Sequence, residues 1–160
     1  MGSNDRKRRK FRTQVITIIL LAGLLFAGLK VYEKYLTAKS FIPLTISRDN
    51  KTIETFKVEV ADSEPEQEKG LMYRKSIGNR EGMIFLYNSE KIQTFWMKNT
   101  YIPLDMLFID KSKKIVGMLK NVPPLNEEQR SVSVPSQYVL ELKSGVADEL
   151  GVQVGDLVGF

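Results

Sequence analysis

The chain has 160 residues, 42% of them hydrophobic and 27% charged, enough for one folded domain with an appendage. It contains no Cys and no His, which excludes disulfides, thiolate nucleophiles, Cys/His zinc sites and histidine general bases. The net charge of +5 is local: residues 1–14 carry six basic residues, from Arg6 to Arg12, against Asp5. The remainder holds eighteen basic and eighteen acidic residues, so no basic patch marks the main domain as a nucleic-acid binder.

Val15 to Leu29 reads VITIILLAGLLFAGL, without a charge. As a helix it spans about 22 Å, and extension to Tyr32 brings it to about 27 Å, near a hydrocarbon core of roughly 30 Å. Lys30 can reach back to the interface, and Tyr32 and Tyr35 stand where an aromatic belt would lie. A cleaved signal peptide shares this basic start and apolar middle. The exit LFAGLKVYEKY lacks a clear small-residue cleavage site, which favours an uncleaved signal anchor over 15–32. The basic tail 1–14 is then expected in the cytoplasm and the rest of the chain outside it, in the periplasm or at the cell surface.

Residues 33–51 read as a linker with a possible first strand in FIPLTIS (41–47), and 52–160 as the main domain. In TIETFKVEVA (52–61), Phe56, Val58 and Val60 alternate with Lys57 and Glu59, the period of a strand. Ser63 with Glu66 forms a capping-box pattern, with Pro65 and acidic residues in the first turn, which predicts a helix over 64–74. Gly70 inside it costs about 1 kcal/mol relative to Ala. MIFLY (83–87) and TFWMK (94–98) read as strands; DMLFID and KKIVGMLK flank DKSKK as a hairpin. YVLEL (138–142) is a strand, GVADELG (145–151) a short helix, and GDLVGF a last strand. The pattern predicts a mostly β (β-rich α+β) domain, largely antiparallel, with two short helices and barrel-like or sandwich closure.

The stretch TFWMKNTYIPLDMLFID (94–110) concentrates polar and aromatic residues among apolar ones. Alternation puts Phe95 and Met97 on one side and Trp96 and Lys98 on the other. Met106 and Phe108 oppose Leu107 and Ile109, so this second strand is expected to be central and covered on both faces. Asp105 lies at its start. One reading is a turn in which Asp105, Asn99 and Thr100 hydrogen-bond locally, flanked by core. The other is a cleft rimmed by Arg74, Trp96, Lys98, Asn99, Thr100 and Asp105, suited to a sugar or another small polar ligand.

GLMYR (70–74), GMIFLY (82–87), FWMKNTYIPLDMLFID (95–110), YVLEL (138–142) and G-V-x-V-G-D (151–156) follow one another as in the domain of unknown function 192 family. The chain resembles that family over about residues 53–160. The resemblance implies a small β-rich prokaryotic domain with short helices, often preceded by an export signal or membrane anchor. It supplies no activity and no catalytic residues. It does suggest that Arg74, Trp96, Lys98, Asn99, Thr100, Asp105 and Glu141 gather in space.

Three classes of function remain open. An enzyme without His or Cys could use Asp105 and Glu141 as a carboxylate pair, or the neighbours Lys75–Ser76 or Lys111–Ser112 as a dyad, although both of these lie in expected turns. A divalent metal could take oxygens from Asp105, Asp110 and Glu141, although no calcium-loop pattern is present. A non-enzymatic binding module for a small ligand or glycan of the cell envelope asks least of the sequence and is the favoured expectation, with no cofactor and no metal. An accessory subunit docking on an envelope protein partner is the alternative. The exposure of Trp96, the single Trp, discriminates among these.

Overall fold

The computed structural model describes residues 15–30 and 41–160. The basic tail 1–14, residues 31–32 of the expected anchor and most of the expected linker lie outside the described residues. Residues 15–30 form helix α1, whose apolar side chains, Ile18, Leu24 and Phe26 among them, are exposed. Lys30 Nζ lies 5.7 Å from the Phe26 ring centroid. At about 1.5 Å per residue α1 is roughly 24 Å long. Among the described residues no helix is long and apolar enough to cross a membrane.

Ser40–Phe160 forms a separate compact unit. Its elements are β1 (Phe41–Arg48), β2 (Lys51–Ala61), α2 (Glu64–Lys69), β3 (Glu81–Lys91), β4 (Leu104–Ile109), β5 (Ile115–Val122), β6 (Ser136–Lys143), α3 (Val146–Glu149) and β7 (Leu157–Gly159). The possible first strand is therefore a full member of the sheet, and it contributes Leu44 and Ile46 to the core. Asp49 and Asn50, both at positive φ, make the two-residue turn between β1 and β2, a conformation that Asn and Asp tolerate.

The strands form one seven-stranded sheet in the order β5-β4-β6-β3-β2-β1-β7. Two features differ from the expectation. The sheet is mixed, because β2 and β3 run parallel, with Glu59 beside Met83. The connection between them, residues 62–80 with α2, is long enough for the crossover that parallel pairing requires. The sheet is also not a closed barrel: its two ends meet only at an isolated bridge, Lys114 to Leu157.

The sheet separates two apolar clusters. On one face, Leu44, Ile46, Phe56, Ile84, Leu107, Leu140 and Val158 pack together, so strands from both ends of the sheet curl around one core. On the other face, Met83, Phe85, Met106, Phe108 and Val139 are covered by Leu71, Phe95, Met97 and Ile102 from the connecting segments. All six residues of β4 are buried, as expected for a central strand covered twice.

Two local expectations are corrected. The helix after Ser63 ends at Lys69 and not near 74, because Gly70 is its C-cap, at φ 45° and ψ −132°. Glu66 accepts hydrogen bonds from the Ser63 hydroxyl and from the Ser63 amide, the latter being one arm of the capping box; they draw its carboxyl below the usual range, the hydroxyl being the main cause. Residues 94–98 do not form a ladder strand. Their links to other segments are the Phe95–Arg130 bridge and the Met97 amide, which donates to the Asn126 carbonyl at 2.7 Å, and a turn follows in which the Met97 carbonyl accepts from the Thr100 amide. The period-two burial survives, with Phe95 and Met97 in and Trp96 out, because it needs only an extended backbone over an apolar surface.

Candidate functional site

The candidate site lies in the layer that covers the second face of the sheet. One row of paired residues crosses that face from β5 to β2: Leu119, Met106, Glu141, Met83 and Glu59. Two carboxylates thus stand in a line of apolar side chains, and both are buried. Glu59 is matched by Arg74, whose guanidinium clasps it with both terminal nitrogens. Glu141 has no such partner: its Oε2 is buried without a hydrogen bond.

Glu141 forms part of the wall of a hollow of about 220 Å³ between α2 and the 94–100 segment. Phe85, Tyr87, Phe95 and Trp96 give it aromatic walls, and Thr94, Thr100 and Gln67 contribute polar groups. Phe95 is fixed edge-on against Phe85 and Phe108, at centroid distances of 5.1 and 6.0 Å. Gly70 leaves room at the hollow: a Cβ there would stand 3.2 Å from Phe85 Cζ and 3.9 Å from Glu141 Oε2. Burial pushes the Glu141 carboxyl up to about 8, with Arg74 pulling the other way. Burial, with Glu141 second, pushes the Tyr87 phenol up to about 12.

A second hollow, of about 300 Å³, adjoins the first through Glu68, Lys69, Met72 and Trp96. Lys98, Asn99 and Tyr73 line its outer end. Trp96 is 38% exposed and forms a wall of both hollows, with Lys98 Nζ at 5.3 Å from its ring centroid. Asn99 and Tyr73, both at positive φ, are locked together: the Tyr73 amide donates to the Asn99 carbonyl at 2.8 Å, and Asn99 Nδ2 donates to the Tyr73 hydroxyl at 2.9 Å.

Of the seven residues singled out in the sequence, the structure brings Trp96, Lys98, Asn99, Thr100 and Glu141 to these two hollows. Arg74 is not part of their lining; it stands behind, on Glu59. Asp105 lies on the other face of the sheet. It is fully buried and accepts from the Asn121 and Ala147 amides, each at 2.9 Å. The expected local turn of Asp105 with Asn99 and Thr100 is therefore corrected: Asp105 secures the start of α3, and Thr100 Oγ1 donates to the Lys98 carbonyl at 3.3 Å. Since Asp105 and Glu141 face opposite ways, the carboxylate pair and the Asp105–Asp110–Glu141 metal set are not assembled.

Sequence reading missed Glu59, Gly70, Phe85 and Tyr87. Glu59 alternates with Lys57 like a solvent-facing residue, and only the crossover that covers this face shows it to be buried. The terminal G-V-x-V-G-D block has a structural role: Asp156 accepts from Arg48 Nε and Nη2 and from the Gln153 amide, joining β1 to the last loop.

Comparisons with known proteins agree with this architecture. A protein of unknown function from Novosphingobium aromaticivorans DSM 12444 superposes with a TM-score of 0.72 at 35% identity, covering 78% of this chain and 94% of that one. A protein from Sinorhizobium meliloti 1021, described as a candidate transcription regulator, gives a TM-score of 0.73 at 34% identity, covering 77% of this chain and 95% of that one. No curated protein matches the chain. The family model of DUF192, described as uncharacterized ACR, matches residues 45–160. The chain belongs to the domain of unknown function 192 family.

Proposed function

We propose that the compact unit is a non-enzymatic binding module whose ligand, a small polar molecule or the end of a glycan, lies along the groove around Trp96. The observation that carries this reading is the setting of Trp96. It is partly exposed, it walls two adjoining hollows, and it stands beside a buried carboxylate oxygen that has no partner. Convergent polar groups in an aromatic hollow are the usual composition of a ligand site. A flat patch would favour a protein partner and a buried Trp96 a purely structural role. The test is titration of the full chain with sugars and small metabolites while the single Trp is followed. A saturable emission change with one ligand, with the heat of binding lost in Trp96→Ala, supports the groove. Emission that no ligand alters overturns it.

Exposed Tyr73, Tyr101 and Leu125 close to the outer hollow favour, as a second reading, docking of an envelope protein. Crosslinking from position 101 to one recurrent partner would select it.

The apolar, exposed face of α1, preceded by the basic residues Arg6 to Arg12, supports membrane anchorage with the compact unit outside the cytoplasm. Retention of the full chain in membranes after alkaline washing is the expected result; quantitative release would remove the anchor from the reading.

A further inference from the structure

We infer that the inner hollow takes a primary ammonium group of a small ligand, held on Glu141 Oε2 and enclosed by Phe85, Tyr87, Phe95 and Trp96. This rests on the groove reading and names the chemistry of its inner end.

A buried polar atom without a partner is rare in a folded protein. A buried carboxylate is offset fully only by a cation that also hydrogen-bonds to it. Among the described residues no cation hydrogen-bonds to Glu141 Oε2: Lys69 lines the inner hollow but is exposed to solvent. Arg74, whose charge Glu141 feels, commits its guanidinium to Glu59. Lys98 lies over the Trp96 ring and lines the outer hollow. The charged form of Glu141 therefore has no bonded cation within the protein, which leaves that role to a ligand, and the aromatic walls favour a cation further. The inner hollow, about 220 Å³, is smaller than the roughly 300 Å³ at which sites for drug-sized molecules begin, so it suits one end of a short molecule.

The same geometry couples binding to protons. Burial keeps the Glu141 carboxyl largely neutral until about pH 8. An ammonium ligand requires the charged form and so expels that proton. The other groups facing Glu141 leave the slope to it. On β3 stand Met83 and Tyr87, the latter ionising only near 12; on β4 stands Met106. Arg74 is paired with Glu59 of β2; Glu68 and Lys69 of α2, both exposed, line both hollows, and Lys98 lines the outer one. Affinity for an ammonium ligand therefore rises about tenfold per pH unit from pH 6 to 7.5 and levels above 8. A ligand that accepts a hydrogen bond from the neutral acid shows the opposite slope.

The experiment is calorimetric titration of the full chain with straight-chain alkylammonium salts of two to six carbons and the matching alcohols. The expected result is that an ammonium salt binds more tightly than its alcohol, with the rising pH slope, and loses at least tenfold in Glu141→Gln. Trp96→Ala is the second variant, should the first not fold. It lies at the surface of the groove and is expected to weaken the same salt. If an alcohol or a sugar binds as well as the ammonium salt, or affinity falls as pH rises, the ammonium inference is overturned and the groove stands. If nothing in either series or in the sugar and metabolite panel binds, both are overturned.

Discussion

Asp105 and Glu141 stand one residue out of register on neighbouring strands and face opposite sides of the sheet. Glu141 is opposite Met106, and Asp105 is opposite Leu142. One carboxylate is saturated by two backbone amides, while an oxygen of the other has no partner at all. Their separate roles can be tested separately.

Replacing Glu141 is expected to stabilise the protein. Its carboxyl titrates at about 8 in the folded chain against an ordinary 4.5, so between those values the folded state holds more protons than the unfolded one. Stability therefore falls as pH rises through that window and is flat above it. Glu141→Gln removes the slope. Unfolding free energies from urea titration should nearly coincide with wild type at about pH 4 and exceed it at about pH 9, by on the order of a few kcal/mol.

Asp105→Ala should have the reverse effect. It strands the amides of Asn121 and Ala147 in the core, and two bonds to a carboxylate together are worth about 3–6 kcal/mol. Asp105→Asn keeps one acceptor oxygen and should cost about half as much. Denaturant unfolding measures both, and in whatever remains folded the Trp96 emission should be unchanged.

Arg48 and Asp156 supply an acid-sensitive element. The Arg48 guanidinium holds the Asp156 carboxyl below its ordinary value of 3.8, so this stability is present above that pH and is lost as pH falls through the depressed one. Arg48→Met should lower the melting temperature at neutral pH. Its stability should also fall less steeply than that of wild type below about pH 4.

Gly70→Ala tests the hollow. The position has φ 45°, and an added Cβ would meet Phe85 at 3.2 Å. A loss of about 1–2 kcal/mol is expected from the backbone alone. Any ligand of the inner hollow should bind more weakly even where the fold persists, which calorimetry would show.

Much of this was legible in the chain. Alternation identifies β2 through Phe56 and Val58, sets Trp96 opposite Phe95 and Met97, and marks β4 as covered on both faces, because burial follows the pleat directly. Local patterns say less about long-range pairing. Nothing in TIETFKVEVA tells that its neighbour is the parallel strand β3, and the distant alignment of Glu59, Met83 and Glu141 depends on that pairing. The local pattern points Asp105 to the adjacent turn, whereas it accepts from Asn121 and from Ala147, the latter forty-two residues away. TFWMK carries strand-like alternation, yet its backbone bonds go mainly to isolated groups at 126 and 130, a distinction that side-chain pattern does not encode.

The bridge between the ends of the sheet has a consequence for motion. Around Lys114 and Leu157 the curl is held by a few backbone bonds: Ile115 to Asp156, Val158 to Lys113 and Gly155 to Ile115. The centre, β4-β6-β3, is held by continuous ladders. Hydrogen exchange should therefore begin at Gly155 and Val158, and the three central strands should surrender their amides last. The groove is built over those central strands, so exchange that begins at the seam is expected to leave the face on which Glu141 stands protected.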